Sequence, residues 1–380
     1  MADQKTCPPL TSDSVRAAYP LISPYIHRTP VLRSKTLDRM ASTAQEESAL
    51  KGTAFEGQKP AAPVFRLHFK CENFQKIGAF KARGAFHAML RLCSELGIDE
   101  VHKRGVTTHS SGNHAQALAL AAFTLNIPAH IVMPSISTKS KIAGTRAYNA
   151  RVIFSGSTEP ERVAVVQEVI KATGAILVPP YDHPDIILGQ GTVGLELEAQ
   201  VRDMAEGSAE ECSPKQGSSL DAVITPLGGG GLLAGTAVYF SDKPCTSVFG
   251  SEPSFEGGDD GRRGLAAGSR IPEVSTLTIA DGLRTPVGEV NWTVISDQKK
   301  VRGIFSVTEE QIKEAMKLIL ERLKVFIEPS AAVPLAVILF DEDFRKLAEK
   351  EGKEKGWDVG VVLSGGNTSV EAISRLYGTK

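Results

Sequence analysis

Phe65, Leu67 and Phe69 alternate with Arg66, His68 and Lys70. That period of two is expected of a strand with one buried face. From Phe80 the period changes: Gly84, Ala85, Ala88, Met89, Leu92 and Leu96 recur at helical spacing and predict a helix. A short strand over 106–108 runs into Ser-Ser-Gly-Asn, and 115–125 is rich in helix formers. Strand-like apolar runs recur at 129–133, 152–154, 175–178, 222–225, 247–250 and 359–363. Thr158-Glu-Pro-Glu161 and Thr308-Glu-Glu-Gln311 read as capping boxes, the second opening a helix to about Val325. Buried β-branched strands alternating with helices imply βαβ units and parallel sheets, so the fold class is α/β. Residues 41–63 and 203–219 are small, polar and aperiodic, and read as surface loops.

Composition narrows the partners. The 380 residues carry Lys plus Arg 43 against Asp plus Glu 44, a net charge of −1. Nucleic-acid binding needs a basic footprint that this balance does not supply. Apolar residues at 42% exclude wholesale disorder, and the length suggests two or three domains at roughly 150 residues each. No run reaches the roughly 18 apolar residues of a membrane helix. The best stretch, 115–133, is broken by Asn126, Pro128 and His130. The first 13 residues are polar, contain Pro8 and Pro9, and lack a signal-peptide core. Cysteines 7, 71, 93, 212 and 245 are scattered and form no CxxC pair. The expectation is a reduced, cytoplasmic protein with neither a disulfide framework nor a zinc cage.

Four segments carry candidate chemistry. Lys81 lies at the start of a helix beside Phe80 and small residues. A lysine in a partly apolar site has a depressed pKa and can form a Schiff base, although a solvated lysine on an amphipathic helix would read the same way. Thr108-His-Ser-Ser-Gly-Asn-His-Ala115 joins a strand to a helix and offers amides and hydroxyls to an anion, or a plain helix cap. Pro226-Leu-Gly-Gly-Gly-Gly-Leu-Leu-Ala-Gly235 follows a strand and leads into an apolar helix. Its amides suit a phosphate at the positive end of a helix, a flexible hinge being the alternative. Leu363-Ser-Gly-Gly-Asn367 also follows a strand directly. Ligand sites in open α/β sheets gather beyond the carboxyl ends of strands, so these loops could share one pocket.

The segments FQKIGAFKARGA, HSSGNHAQALALAA, GQGT, PLGGGGLLAG, SEPS and LSGGN closely resemble the fold type II pyridoxal phosphate enzymes. Within these, the match is to serine/threonine dehydratases, serine racemases and threo-3-hydroxyaspartate ammonia-lyases, running from about Arg28 to Ile373. The resemblance implies a tryptophan synthase beta-like fold with two open, twisted, mostly parallel sheets flanked by helices. It implies a large domain from 1–104 and 181–380 and a small one from 105–180.

It also implies roles. Lys81 would hold the cofactor as a Schiff base and then remove the Cα proton. Gly228, Gly229, Gly230, Gly231 and Leu232 would hold the phosphate, with Phe80, Gly282 and Glu328 also at the cofactor. Asn113 would bond the phenolic oxygen of the ring, and Ser364 would face its pyridine nitrogen. A neutral hydroxyl cannot keep that nitrogen protonated, so loss of a β-hydroxyl is favoured over long-lived charge in the ring. Ser110, Ser111, Gly112, Asn113 and His114 would hold the substrate carboxylate, with Arg162 on the substrate side. Ser111 would act as acid/base on the face opposite Lys81, which permits racemisation. Glu252, Gly258 and Asp260 would hold Mg2+, or Ca2+ or Mn2+, in a loop longer than the family pattern.

Ile77 stands where serine racemases commonly carry a threonine near a nucleotide effector, which leaves such an effector in doubt. Tyr181 replaces an asparagine seen near the cofactor in animal serine racemase and favours a dehydratase-like pocket. Too few residues follow Asn367 for the C-terminal regulatory domain of biosynthetic threonine dehydratases. The expected protein is a homodimeric ammonia-lyase acting on L-serine, L-threonine or threo-3-hydroxyaspartate. Alternatives are a predominant serine racemase and a catalytically silent ligand-binding relative. A dinucleotide-binding reading of the glycine loop fits poorly, because Gly235 and Asp242 lie at the wrong spacing.

Overall fold

The structure, a computed structural model, describes residues 3–110, 112–137, 139–206 and 220–378. Among the described residues, ten strands build two sheets: β1 (Val31–Leu32), β2 (Phe65–Cys71), β3 (Val106–His109), β4 (Ala129–Pro134), β5 (Arg151–Ser155), β6 (Ile176–Leu177), β7 (Ala222–Pro226), β8 (Ser247–Pro253), β9 (Gly303–Val307) and β10 (Trp357–Leu363). The larger sheet runs β1-β2-β10-β7-β8-β9, and the smaller runs β5-β4-β3-β6. Of these strands, β1 alone pairs antiparallel, and the others pair parallel with one another. Parallel strands are covered on both faces, which is why β7 is buried at every position.

Eight of these strands sit where the sequence periods place them, with ends moved by at most three residues, whereas β1 and β9 have no predicted counterpart. Two further departures have physical causes. The helix opened by the Thr308 capping box ends at Leu318 rather than near Val325. A wider turn over Ile319–Leu323 follows, and Lys324 in the left-handed region (φ +62°) stops it. Part of 41–63 is ordered by a single buried guanidinium. Arg345 donates to the carbonyls of Ala41 and Thr43 at 2.7 Å each and of Ala61 at 3.0 Å. Of the second expected loop, 203–206 continue the helix Pro184–Glu206, and 207–219 lie outside the described residues.

Parallel pairing puts the carboxyl ends of β2, β7 and β10 on one edge of the larger sheet. Beyond that edge an isolated bridge pairs Ala79 with Gly365. Phe80 N donates to Ser364 O at 3.1 Å, and Glu328 N donates to Gly365 O at 3.0 Å. The segment that delivers Lys81, the loop after β10 and the start of the helix Pro329–Phe340 are thereby fixed to one another.

Candidate active site

A cleft with about 150 Å3 of open space lies at these strand ends. Its lining includes Phe80, Lys81, Ser110, Gly112, Asn113, His114, Arg162, Gly228–Gly231, Leu232, Gly282, Glu328 and Ser364. The residues expected from the sequence for cofactor and substrate therefore meet in one place. Ser111 lies outside the described residues.

Lys81 begins the helix Lys81–Leu96. Its amine donates to Pro180 O at 2.8 Å and lies 5.2 Å from the centre of the Phe80 ring. It makes no ion pair within 4.0 Å among the described residues. One side of the residue faces the cleft, but protein surrounds the amine on the others. Burial disfavours the charged form and pulls the pKa down to about 8, against the opposing pull of the Glu328 carboxylate. At neutral pH a usable fraction is the neutral nucleophile.

Across the cleft, Gly230 has φ +99° and serves as the cap residue of the helix Gly231–Phe240. A Cβ on Gly229 would sit 2.4 Å from the Tyr181 ring, so no larger residue fits without moving that ring. The bare backbone and the positive end of the helix make a wall suited to a phosphate. Asn291 braces it, its side-chain amide donating to Gly229 O at 2.6 Å.

Asn113 is held at both ends of its side chain. Its amide donates to Glu328 Oε1 at 2.9 Å, and its carbonyl accepts from Asn367 Nδ2 at 2.8 Å. Asn367 Nδ2 also donates to Ile77 O at 2.7 Å. Ile77 has φ +59°, an outlier for a β-branched side chain, so the backbone entering the Lys81 helix carries strain. Burial and the nearby Asp281 carboxylate push the Glu328 acid up to about 7. His114 is buried with Nε2 3.3 Å from Val178 O. Burial and the Lys81 charge push its pKa down to about 3, so it is neutral. Ser110 Oγ accepts from Gly112 N at 3.3 Å, and Ser364 is buried against the cleft. Arg162 reaches the cleft while donating to Ser157 O at 2.7 Å.

Among the lining residues that the sequence did not single out are Lys141 and Asp281. Lys141 Nζ lies 2.6 Å from Asp281 Oδ2, bridging the helix Lys139–Arg146 to the segment around Gly282. No local signal links residues so far apart, and each alone reads as an ordinary surface charge.

The acidic loop lies elsewhere. Glu252, fully buried at the end of β8, accepts from Gly261 N and Arg262 N at 2.9 Å each. Asp260 Oδ2 accepts from Val287 N at 3.0 Å. Burial and the neighbouring Asp260 push the Glu252 acid well above the carboxylate range. Carboxylate oxygens buried together fit a hard divalent cation, which would offset that repulsion.

The profile of the family described as "Pyridoxal-phosphate dependent enzyme" matches residues 52–365. Serine racemase of Arabidopsis thaliana is 37% identical over 361 residues, covering 95% of this chain and 94% of the relative. L-threo-3-hydroxyaspartate ammonia-lyase of Saccharomyces cerevisiae is 36% identical, covering 94% of each. The solved structure of maize serine racemase superposes with a TM-score of 0.78 at 37% identity and 96% coverage of both chains. A matched profile, near-complete coverage by relatives and a lysine facing a glycine wall agree: this chain belongs to the pyridoxal-phosphate dependent enzyme family.

Proposed function

We propose that this chain is a pyridoxal phosphate-dependent ammonia-lyase. Its substrate would be a β-hydroxy amino acid (L-serine, L-threonine or threo-3-hydroxyaspartate), converted to a 2-oxo acid and ammonia. Serine racemisation would occur at the same site. The observation that carries the reading is the Lys81 amine, free of ion pairs among the described residues and facing the Gly228–Gly231 wall across one cleft.

The residues fit the cofactor. Gly228–Gly231 and Leu232 would hold its phosphate, Lys81 its aldehyde carbon, and Phe80, Gly282, Glu328 and Ser364 the remaining edges of the ring. Bound there, the cofactor supplies an electron sink conjugated to the substrate Cα. The Lys81 amine would take the Cα proton and could pass it to the departing β-hydroxyl, which leaves as water. Glu328 orients the Asn113 amide toward the cleft. Ser110, Gly112 and His114 border the place for the substrate carboxylate, and neutral His114 adds no competing charge. Ser364 offers a neutral hydroxyl, which favours elimination. Return of the proton from the opposite face is assigned to Ser111 by the family resemblance.

Residues 105–180, which contain all of the smaller sheet, would move as a small domain over the larger one and exclude water before chemistry. Glu252 and Asp260, with the Gly258 carbonyl, would bind Mg2+ on the strength of their buried oxygen donors. Homodimeric assembly follows from the resemblance, and a cytoplasmic location from the scattered cysteines. Among the described residues, no helix is long and apolar enough to cross a membrane.

The test is a panel of amino acids assayed for 2-oxo acid and ammonia, with D-serine measured in parallel from L-serine. Release of both products from at least one β-hydroxy amino acid supports the lyase. D-serine in large excess over pyruvate would make it a racemase. Absence of both, with cofactor bound, would make it a silent relative.

A further inference from the structure

Cys7, His183 and Asp185 come together about the start of the helix Pro184–Glu206, and we propose that they form a zinc site. One ligand atom from each lies within 4.8 Å of the others. Cys7 Sγ stands 3.5 Å from Asp185 Oδ2 and 4.0 Å from His183 Nε2. A tetrahedral zinc with bonds of about 2.3 Å to sulfur and about 2.0 Å to nitrogen or oxygen places its ligand atoms roughly 3.4–3.6 Å apart. The two spacings from Cys7 need to close by at most about half an ångström to match that geometry, and the third lies within 4.8 Å.

A second observation points the same way. Asp185 is fully buried, and its Oδ1 makes no hydrogen bond; Arg91 Nε is 3.5 Å away. Among the described residues, the buried carboxylate has only that long ion pair to Arg91, and a second cation bound at Oδ2 would further offset its charge. Beside the cluster a cavity of about 10 Å3 is lined by Leu92, Val178, Pro179, His183 and Asp185. That is near the space one water needs, so a fourth ligand has room.

The mixed donor set selects the ion. A thiolate, an imidazole and one carboxylate suit Zn2+, whereas Mg2+ and Ca2+ favour oxygen alone. Binding releases the thiol proton of Cys7 to solvent and moves the His183 ring proton from Nε2 to Nδ1, which gives up the hydrogen bond that Nδ1 accepts from Asp185 N at 3.3 Å. Nδ1 is 3.9 Å from Asp185 Oδ2. The site differs from the acidic loop in place and in chemistry.

Its position gives it a consequence. Arg91 Nη2 already donates to Thr6 O at 3.1 Å, seating the N-terminal segment on the Lys81 helix. An ion would cross-link that segment to the turn carrying Pro180, whose carbonyl holds the Lys81 amine, and Tyr181, which backs Gly229. The scattered cysteines read against a zinc cage, because Cys7 lies far along the chain from the His183-Pro184-Asp185 pair and forms no spaced motif with it.

The test uses the full-length holoenzyme, dialysed against chelator and titrated with Co2+ as a spectroscopic substitute for zinc. One equivalent should produce intense red-region ligand-field bands of a tetrahedral, thiolate-bound ion, clear of the cofactor absorption, and Zn2+ should bleach them. Cys7→Ala and His183→Asn should each abolish the bands and weaken Zn2+ binding by more than the 10–100-fold typical of losing an outer partner. Cys7 is partly exposed in the N-terminal segment, so its variant should keep the fold, checked by an unchanged cofactor spectrum. Glu252→Gln should leave the bands in place. Weak octahedral bands alone, no bands, or bands that persist in Cys7→Ala would each overturn the site.

Discussion

Lys81 and Arg83 occupy the first turn of one helix, two residues apart, and meet opposite fates. Arg83 donates to Glu72 Oε2 at 2.7 Å and Oε1 at 2.8 Å, and to Glu196 Oε1 at 2.9 Å and Oε2 at 2.8 Å. Lys70 completes the group, 2.6 Å from Glu196 Oε2. Two cations and two anions thus cancel inside the protein. Burial opposes the Arg83 charge, but Glu72 and Glu196 outweigh it and hold the guanidinium above its usual range. Lys81 has no such partner in contact, and burial wins. Between Lys81 and Arg83, partner supply rather than position in the helix or burial separates the reactive cation from the structural one.

Lys81→Ala should give the largest effect. Turnover falls by roughly 10^4-fold or more as nucleophile and base are lost together. The denaturant midpoint should move little, because no ion pair is broken. A large loss of stability would erase the contrast. Arg83→Met leaves Glu72 and Glu196 facing each other with only Lys70, and should cost about 3–5 kcal/mol in urea unfolding. A cost near zero would show the network to be incidental. Thr192→Val removes one acceptor, 3.2 Å from Arg83 Nη1, and should cost about 1 kcal/mol by the same measurement.

The smallest effect concerns pH. The neutral amine captures the cofactor, so the capture rate of apoprotein should rise with pH through about 8, the Lys81 value. Glu328 favours the ammonium form, so Glu328→Gln should shift that midpoint downward, by less than about one unit. Stopped-flow absorbance reads both. A midpoint near the ordinary lysine value would deny that burial tunes Lys81.

Much of the cleft was legible because it is local. A lysine at a helix start, glycines after a strand, and small polar residues at a helix cap are contiguous signals, read without knowing what lies opposite. The resemblance then supplied Gly282 and Glu328, which no spacing singles out. The structure added what joins distant segments: Glu196 to Arg83, Asp281 to Lys141, and His183 to Cys7. The long helix Pro184–Glu206 was also missed. It is buried around most of its surface, with Gly189, Gly191 and Gly194 at close approaches, so it shows no amphipathic stripe. The Thr308 capping box marked a helix start correctly, while its end depended on the backbone at Lys324, which carries no reliable sequence signal.

The most direct test of the central claim is borohydride reduction of the purified protein, followed by peptide mass mapping. The account predicts a phosphopyridoxyl group on Lys81, reached through the glycine-walled cleft, with Lys70 and Lys141 unmodified. Label on another lysine, or no label in protein that turns over substrate, would contradict it.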